Sequence, residues 1–177
     1  MEFRFSEYQQ LYTRRKKYKS KKEKIKKPKL KNLKVVEDRR LVSPRGKIFK
    51  RYIVVIDPKV QLLVGGLTYY TNPKADSSIR YKHIKKRDAS VDAVGMAPEF
   101  RNKGFGSKML KRAEIIARKE KKNRMLLAVM GFNKKGIKLY ERMGYKTIHK
   151  TTLHKGAHGS KEGEKNKPAF IMAKELK

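Results

Sequence analysis

A short run of glycine and basic residues lies where a strand is predicted to turn into a helix. It consists of Arg101, Asn102, Lys103, Gly104, Phe105 and Gly106. Glycines at such a turn let the backbone approach a bound anion closely, and the first N–H groups of a helix have no partner within it and carry partial positive charge. The pattern therefore predicts a cradle for a pyrophosphate group. A glycine-rich helix start without a ligand is the alternative interpretation.

Two other phosphate-binding motifs do not fit this run. The dinucleotide motif requires a third glycine at the position that Met109 occupies, and the Walker motif GxxxxGK[ST] does not occur in the chain. The spacing thus indicates an anion at the start of a helix without identifying it.

The elements around this run predict one α/β domain. β-branched and aromatic residues predict two paired strands within 48–56 and 60–70, separated by a turn at Asp57-Pro58. Apolar periodicity predicts further strands at 90–97, 124–130, 145–149 and 168–173, and helices at 105–121 and 134–143. The predicted order is β-β-β-α-β-α-β-β.

The predicted strand 90–97 alternates between two faces. One face carries Val91, Ala93 and Gly95, and the other carries Asp92, Val94 and Met96. Asp92 is thereby expected on the same side of the strand as Val94 and Met96.

The charge of the chain is extreme for its length. Its 177 residues include 49 lysines and arginines against 16 acidic residues, a formal net charge of +33, and such a charge favours a polyanionic partner. No apolar run approaches the roughly 18 residues that a transmembrane helix needs. The absence of cysteine excludes a disulfide framework, a thiolate nucleophile and a cysteine-type zinc finger.

The basic residues are densest near the N-terminal end. Residues 1–50 contain 19 basic and 5 acidic side chains, and residues 14–31 have too few apolar side chains to fold by burial alone. Ser6 and Gln9 have the spacing of a capping box, which would begin a helix that ends before Pro28. We predict a basic extension over residues 1–34 that binds RNA or a ribonucleoprotein, followed by a domain over residues 35–177.

The first residues lack the apolar core of a secretory signal. We therefore expect a cytoplasmic protein without a membrane partner, with an organellar (mitochondrial) or a nuclear location as alternatives.

The run 101–106 and a second motif downstream resemble the GNAT superfamily of acyl-CoA-dependent N-acyltransferases. That family's pyrophosphate motif is [RQ]-x-x-G-x-[GA], which is matched here by Arg101, Gly104 and Gly106. Its second motif is N-x-x-A-x-x-x-Y-x-x-x-G-[FY], which is matched by Asn133, Tyr140, Gly144 and Tyr145, with Gly136 in place of the alanine. The resemblance is strong over residues 47–149 and absent before about residue 33. It implies an α/β fold with a mixed, mostly antiparallel sheet flanked by helices.

The resemblance also implies a role for each matching residue. Acetyl-CoA would place its pyrophosphate on residues 101–106 and its pantetheine arm along the backbone of Val94 and Met96, and Asn133 would hold the coenzyme. Tyr140 would donate a proton to the departing thiolate. Asn133 as a helix cap alone and Tyr140 as a core aromatic alone are the alternative interpretations.

Direct acyl transfer also needs a base that removes a proton from the amine. Asp92 is the best candidate, and a surface carboxylate paired with a lysine is the alternative interpretation. His83 and His149 are weaker candidates. His154 and His158 are four residues apart but have no third ligand beside them, so we predict no metal site.

Two functions remain open on the sequence. The first is an acetyl-CoA-dependent N-acetyltransferase that acts on a protein amine and associates with RNA or a ribonucleoprotein. The second is a structural subunit of a ribosome or other ribonucleoprotein, with vestigial or no catalysis. A charge of +33 would repel polyamines and lysine-rich tails and would attract coenzyme A.

Overall fold

The computed structural model of the chain describes residues 29–42, 48–59, 62–75, 84–153 and 167–177. Within these ranges it contains seven strands and two α-helices. In chain order they are β1 (Lys34–Val42), β2 (Ile48–Asp57), β3 (Leu62–Tyr70), β4 (Asp88–Met96), α1 (Phe105–Lys119), β5 (Arg124–Met130), α2 (Lys134–Arg142), β6 (Lys146–Leu153) and β7 (Lys167–Glu175).

Several predictions from the sequence concern residues outside these ranges. They are the N-terminal capping box and helix, the basic stretch 14–28, and the histidines at positions 83, 154 and 158.

The seven described strands form one sheet in the order β1-β2-β3-β4-β5-β7-β6. Every neighbouring pair is antiparallel except β4 and β5, which run parallel. The prediction of a mixed, mostly antiparallel sheet flanked by helices is therefore confirmed.

Strand β1 was not predicted. It pairs with β2 along its whole length, with Val35 opposite Val55, and it lies at the edge of the sheet. The charged residues 37–40 in its middle hide its apolar pattern. Edge strands commonly carry such charges, because charges oppose pairing with another chain. One of them also has a local partner, since Glu37 accepts a hydrogen bond of 2.7 Å from Arg51 on β2.

Both helices pack against one apolar cluster of the sheet. The buried apolar residues of α1 are those that the helical spacing predicts, namely Phe105, Met109, Leu110, Ala113, Ile116 and Ala117. From α2 and the turn after it, Tyr140 and Tyr145 join the same cluster. The two helices thus form a single layer on the sheet.

The parallel pair begins at a buried ion pair. Asp88 and Arg124 are register partners at the starts of β4 and β5, and the Asp88 carboxylate accepts hydrogen bonds of 3.0 Å and 2.7 Å from Nε and Nη2 of Arg124. The ladder continues only to Val91 and Leu127. Beyond these residues β4 stays paired with β3 and β5 with β7, so the two strands separate toward their carboxyl ends.

A register shift in β4 corrects the predicted alternation of its side chains. Gly66 of β3 pairs with Gly95, but Thr68 pairs with Asp92, so β4 carries one extra residue between these points. Such a bulge changes which face the following side chains occupy. Val94 consequently packs against the same cluster as Val91, although strict alternation predicts opposite faces.

The ion pair at the start of β4 gives a stability prediction. Asp88→Ala should lower the free energy of unfolding by about 3–5 kcal/mol, because Arg124 keeps a buried charge without its partner. Urea unfolding followed by circular dichroism measures this loss. The double variant Asp88→Leu with Arg124→Met should recover most of the loss, since both charges are removed together. A loss below about 1 kcal/mol for the single variant would contradict the assignment.

Candidate active site

The residues that the sequence singled out for coenzyme binding and catalysis lie on β4 past its parallel ladder, or follow the carboxyl ends of β4 and β5. β4 leads into the run 101–106, and β5 leads into Asn133 and α2. Open α/β sheets bind ligands outside the carboxyl ends of parallel strands, where neighbouring strands diverge. The gap between β4 and β5 is therefore the candidate site.

The run 101–106 has the backbone of a tight turn. Asn102 and Gly104 have φ angles of 58° and 80°, in the left-handed region that asparagine and glycine adopt most readily. No side chain caps the start of α1, and a Cβ added at Gly104 would meet no atom within 4 Å. Residue 104 therefore borders open space beside the first N–H groups of the helix.

Gly106 serves a different purpose from Gly104. A Cβ added there would lie 3.3 Å from Cδ2 of Leu139 on α2, which is closer than side chains normally pack. Gly106 therefore allows the start of α1 to approach α2. This is a packing role, in addition to any contact with an anion.

The end of β4 is tied to the turn that follows it. Arg101 donates a hydrogen bond of 3.1 Å from Nε to the backbone carbonyl of Met96. Arginine has five N–H donors, and this contact uses one. Val94 and Met96 are partly buried against the main cluster. A Cβ added at Gly65, the register partner of Met96, would overlap the Met96 sulfur and lie 2.9 Å from the backbone carbonyl of Gly95, so the close approach of the two backbones favours glycine there.

Asn133 caps α2. Its side-chain oxygen accepts a hydrogen bond of 2.9 Å from the backbone N–H of Gly136, which satisfies one of the unpartnered donors at the helix start. A Cβ added at Gly136 would lie 2.6 Å from Nδ2 of Asn133. The glycine that departs from the family motif therefore gives the capping side chain its space. Asn133 thus caps α2, as both interpretations require, and its contact with a coenzyme stays a prediction.

Tyr140 is buried in α2 and is electrostatically coupled to Asp92. Burial raises the pKa of Tyr140 to about 12, and the negative charge of Asp92 adds to the shift. At neutral pH the phenol therefore keeps its proton, which is the state that proton donation requires. Asp92 itself is half-buried. The structure thus brings the two predicted catalytic residues within range of each other's charge, whereas His149 is exposed on β6.

Two charged residues that contact Tyr145 were not predicted. Glu114 of α1 is only 3% exposed, and Lys174 of β7 donates hydrogen bonds of 2.9 Å and 2.8 Å to its two carboxylate oxygens. The sequence does contain a signal for this pair, because Glu114 interrupts the apolar stripe of α1 between Ala113 and Ala117. A lone acidic residue in such a stripe indicates a buried partner.

Within the part of the chain that the structure describes, no group of three or more His, Cys, Asp or Glu is arranged to hold a metal ion. None of the described helices is long and apolar enough to cross a membrane.

Known proteins resemble this chain. Residues 9–145 match the family described as the Acetyltransferase (GNAT) family. Thialysine N-ε-acetyltransferase of Bos taurus is 29% identical over 89 residues, which are 50% of this chain and 47% of that protein. The Sus scrofa enzyme of the same name is 29% identical over 110 residues, 61% of this chain and 58% of that protein. The chain thus spans about half the length of the curated relatives that it matches.

Solved structures share the fold at lower identity. The structure of yncA from Salmonella typhimurium with its cofactor acetyl-CoA has a TM-score of 0.54 and 15% identity, covering 72% of this chain and 65% of that one. Nourseothricin acetyltransferase has a TM-score of 0.56 and 21% identity, covering 81% and 85%. These likenesses establish the fold. Because the family match takes in both motifs and most of the 177 residues, the chain belongs to the Acetyltransferase (GNAT) family.

Proposed function

We propose that this protein is an N-acetyltransferase that transfers an acetyl group directly from acetyl-CoA to an amine. The observation that carries the proposal is that an uncapped helix start follows β4, the strand that separates from β5, while the buried, protonated Tyr140 lies within range of the charge of Asp92 on the same strand. Family membership supports it. So does the presence of acetyl-CoA in the yncA structure, which has the same fold.

The turn between β4 and α1 is suited to the pyrophosphate of the coenzyme. Arg101 and Lys103 are exposed there and bring positive charge, and the N–H groups at the start of α1 add the partial charge of the helix dipole. The backbone of Val94 and Met96 and the side chain of Asn133 are the groups we assign to the rest of the coenzyme.

Acetyl-CoA supplies the acetyl group as a thioester, and the side chains of the site move protons. Asp92 takes a proton from the amine nitrogen as that nitrogen forms its bond to the carbonyl carbon. Tyr140 gives its proton to the sulfur as the carbon–sulfur bond breaks, so that the products are an amide and a neutral thiol. Protons exchanged with solvent then restore the tyrosine and the carboxylate.

The acceptor we propose is an amine on a protein. The curated relatives are named for the ε-amine of thialysine, which favours a side-chain ε-amine. The net charge of +33 disfavours polycationic acceptors, because like charges repel over the distance of approach. We therefore expect the acceptor amine to lie among neutral or acidic residues.

A second function, RNA or ribonucleoprotein association, is favoured by the outer face of the helix layer. Across α1 and α2, nine exposed side chains are basic and one, Glu141, is acidic; the basic ones are Lys108, Lys111, Arg112, Arg118, Lys119, Lys134, Lys135, Lys138 and Arg142. A surface of this kind attracts phosphate backbones.

We further propose that residues 1–34 form a basic extension of the domain at 35–177, although the family match begins at residue 9.

Two variants separate coenzyme binding from chemistry. Gly104→Asn should weaken acetyl-CoA affinity at least about 10-fold, because the side chain enters the space beside the helix start. Tyr140→Phe should keep that affinity but lower kcat about 100-fold or more, since only the proton donor is removed. Calorimetry measures the first effect and release of free thiol the second.

The matched control for Gly104→Asn is Gly144→Asn, which places the same side chain at a similar φ of 88° after α2. It should leave coenzyme affinity unchanged. Unaltered affinity in Gly104→Asn would remove the coenzyme site. Absence of thiol release by the wild-type protein with every peptide amine would favour the structural alternative.

The pKa of Tyr140 predicts the alkaline behaviour of turnover. Because that pKa is raised to about 12, kcat should stay level as the pH rises from about 8 to 10, the ordinary pKa of tyrosine. Asp92→Asn should lower the pKa of Tyr140, since the phenolate no longer has a negative neighbour, and the fall in kcat should begin at a lower pH. A wild-type decline below about pH 9 that vanishes in Tyr140→Phe would contradict the assignment.

Salt dependence tests RNA binding and its location. Replacing Lys16, Lys17, Lys21 and Lys22 with glutamine should flatten the plot of log affinity against log salt by about 0.9 for each duplex phosphate that is no longer neutralised. Fluorescence anisotropy with a labelled duplex gives the slope. The comparison variant changes Lys111, Arg112, Lys119 and Lys138 to glutamine. If only the comparison variant has a flatter slope, the helix layer carries the RNA surface; if neither does, the RNA proposal fails.

A further inference from the structure

Glu114 is a buried charge that the proposed chemistry does not use. It lies midway along α1 and is 3% exposed, and the ammonium group of Lys174 binds both of its carboxylate oxygens at 2.9 Å and 2.8 Å. Arg118, one turn further along α1, adds a weaker contact of 3.9 Å. The carboxylate is thus held from β7 and from its own helix.

The same carboxylate holds the ring of Tyr145. The Tyr145 hydroxyl donates to Oε1 of Glu114 at 3.4 Å, and Nζ of Lys174 lies 5.8 Å from the centroid of the ring. Tyr145 is only 2% exposed. Its ring is therefore contacted at the hydroxyl by one member of the ion pair and on the face by the other.

Tyr145 in turn contacts Tyr140 twice. The two ring centroids are 6.2 Å apart with an interplanar angle of 63°, an edge-to-face arrangement that aromatic pairs favour. The backbone N–H of Tyr145 also donates to the carbonyl of Tyr140 at 3.0 Å. Gly144, between the end of α2 and Tyr145, makes this turn possible with a φ of 88°.

Stability alone is a weak explanation for the ion pair. Removing two charges from water costs free energy that their attraction often fails to exceed, so a buried pair is commonly no more stable than apolar side chains of similar size. Such a pair does fix geometry, because both partners must keep their places. Proton donation needs such a fixed geometry, because displacing the donor by about 1 Å can lower the rate about 100-fold.

We propose that Glu114, Lys174 and Tyr145 are positioning residues that fix the orientation of the Tyr140 phenol. The ion pair holds Tyr145, and Tyr145 holds Tyr140, whose phenol lies within range of the Asp92 charge on β4. The inference rests on the proposed function for its kinetic consequence, but its structural content, the orientation of one ring, is independent of turnover.

The kinetic test compares Glu114 with Glu120, the residue that follows the end of α1. Glu114→Gln should lower kcat about 10-fold and leave the KM for acetyl-CoA within about 2-fold, because only the proton donor is displaced. Glu120→Gln is the matched control. Glu120 accepts hydrogen bonds of 2.6 Å from Tyr69, 3.1 Å from Arg51 and 3.3 Å from Thr71, so its partners lie on β2, on β3 and just after β3. The variant Glu120→Gln should lower the melting temperature about as much as Glu114→Gln does, and its kcat should stay within about 2-fold of the wild-type value.

Non-additivity distinguishes positioning from general weakening. In a protein that already carries Tyr140→Phe, Glu114→Gln should cause no further decrease in kcat, because the group it positions is gone. Lys174→Arg should retain most of kcat and Lys174→Met should not, since arginine keeps the cation. An equal further decrease in the Tyr140→Phe protein, or an unchanged kcat in Glu114→Gln, would overturn the proposal.

A spectroscopic measurement keeps the proposal separate from the proposed function. In protein with labelled tyrosine rings, the NMR resonances of Tyr140, assigned by their absence from Tyr140→Phe, should shift in Glu114→Gln and Tyr145→Phe and stay in place in Glu120→Gln. Tyr145→Phe removes only the hydroxyl that contacts Glu114, and it replaces Glu114→Gln in this measurement if that variant does not fold. Unmoved Tyr140 resonances in Tyr145→Phe would overturn the proposal even in a protein with full activity. Shifted resonances in a protein without thiol release would support it while the enzymatic function fails.

Discussion

The buried ion pair between Asp88 and Arg124 fixes the point at which the sheet changes from antiparallel to parallel pairing. It joins the first residues of β4 and β5, and the ladder that begins with this pair is only four pairs long. Past that ladder the strands diverge, because each stays with its outer neighbour. The gap that results is the only place among the described residues where the helix layer and the ends of two parallel strands meet. The site we describe depends on this geometry.

Helix α1 carries part of the site at its start and is joined to the sheet by two further groups of contacts. Its start carries the glycine turn, and its middle carries Glu114, which reaches Lys174 on β7. At its end Glu120 accepts hydrogen bonds from Arg51 and Tyr69. Displacing the helix along its axis would disturb the turn and both groups of contacts together. The anion-binding turn and the tyrosine pair are therefore held in a common frame.

The sequence was most informative where the determinants are local. Helix α1 and strand β5 were predicted nearly to the residue, because their apolar spacing is regular, and Gly104 could be recognised from the turn it must form. Long-range features escaped prediction. The charges of β1 obscure an edge strand, the bulge in β4 depends on its pairing with Gly66 and Thr68, and the packing role of Gly106 requires knowing that Leu139 lies against it.

The placement of acidic residues has a consequence for how the protein responds to its solvent. Five of the described carboxylates form hydrogen bonds or ion pairs within the protein. They belong to Glu37, Asp57, Asp88, Glu114 and Glu120. They neutralise few of the lysines and arginines that face outward. The exterior of the part of the chain that the structure describes is thus more uniformly cationic than the composition suggests, and mutual repulsion across it opposes compaction. At physiological ionic strength, dissolved salt screens that repulsion beyond about 8–10 Å and has little effect on the internal pairs. Added salt should therefore stabilise the native state, although it weakens most complexes between oppositely charged molecules.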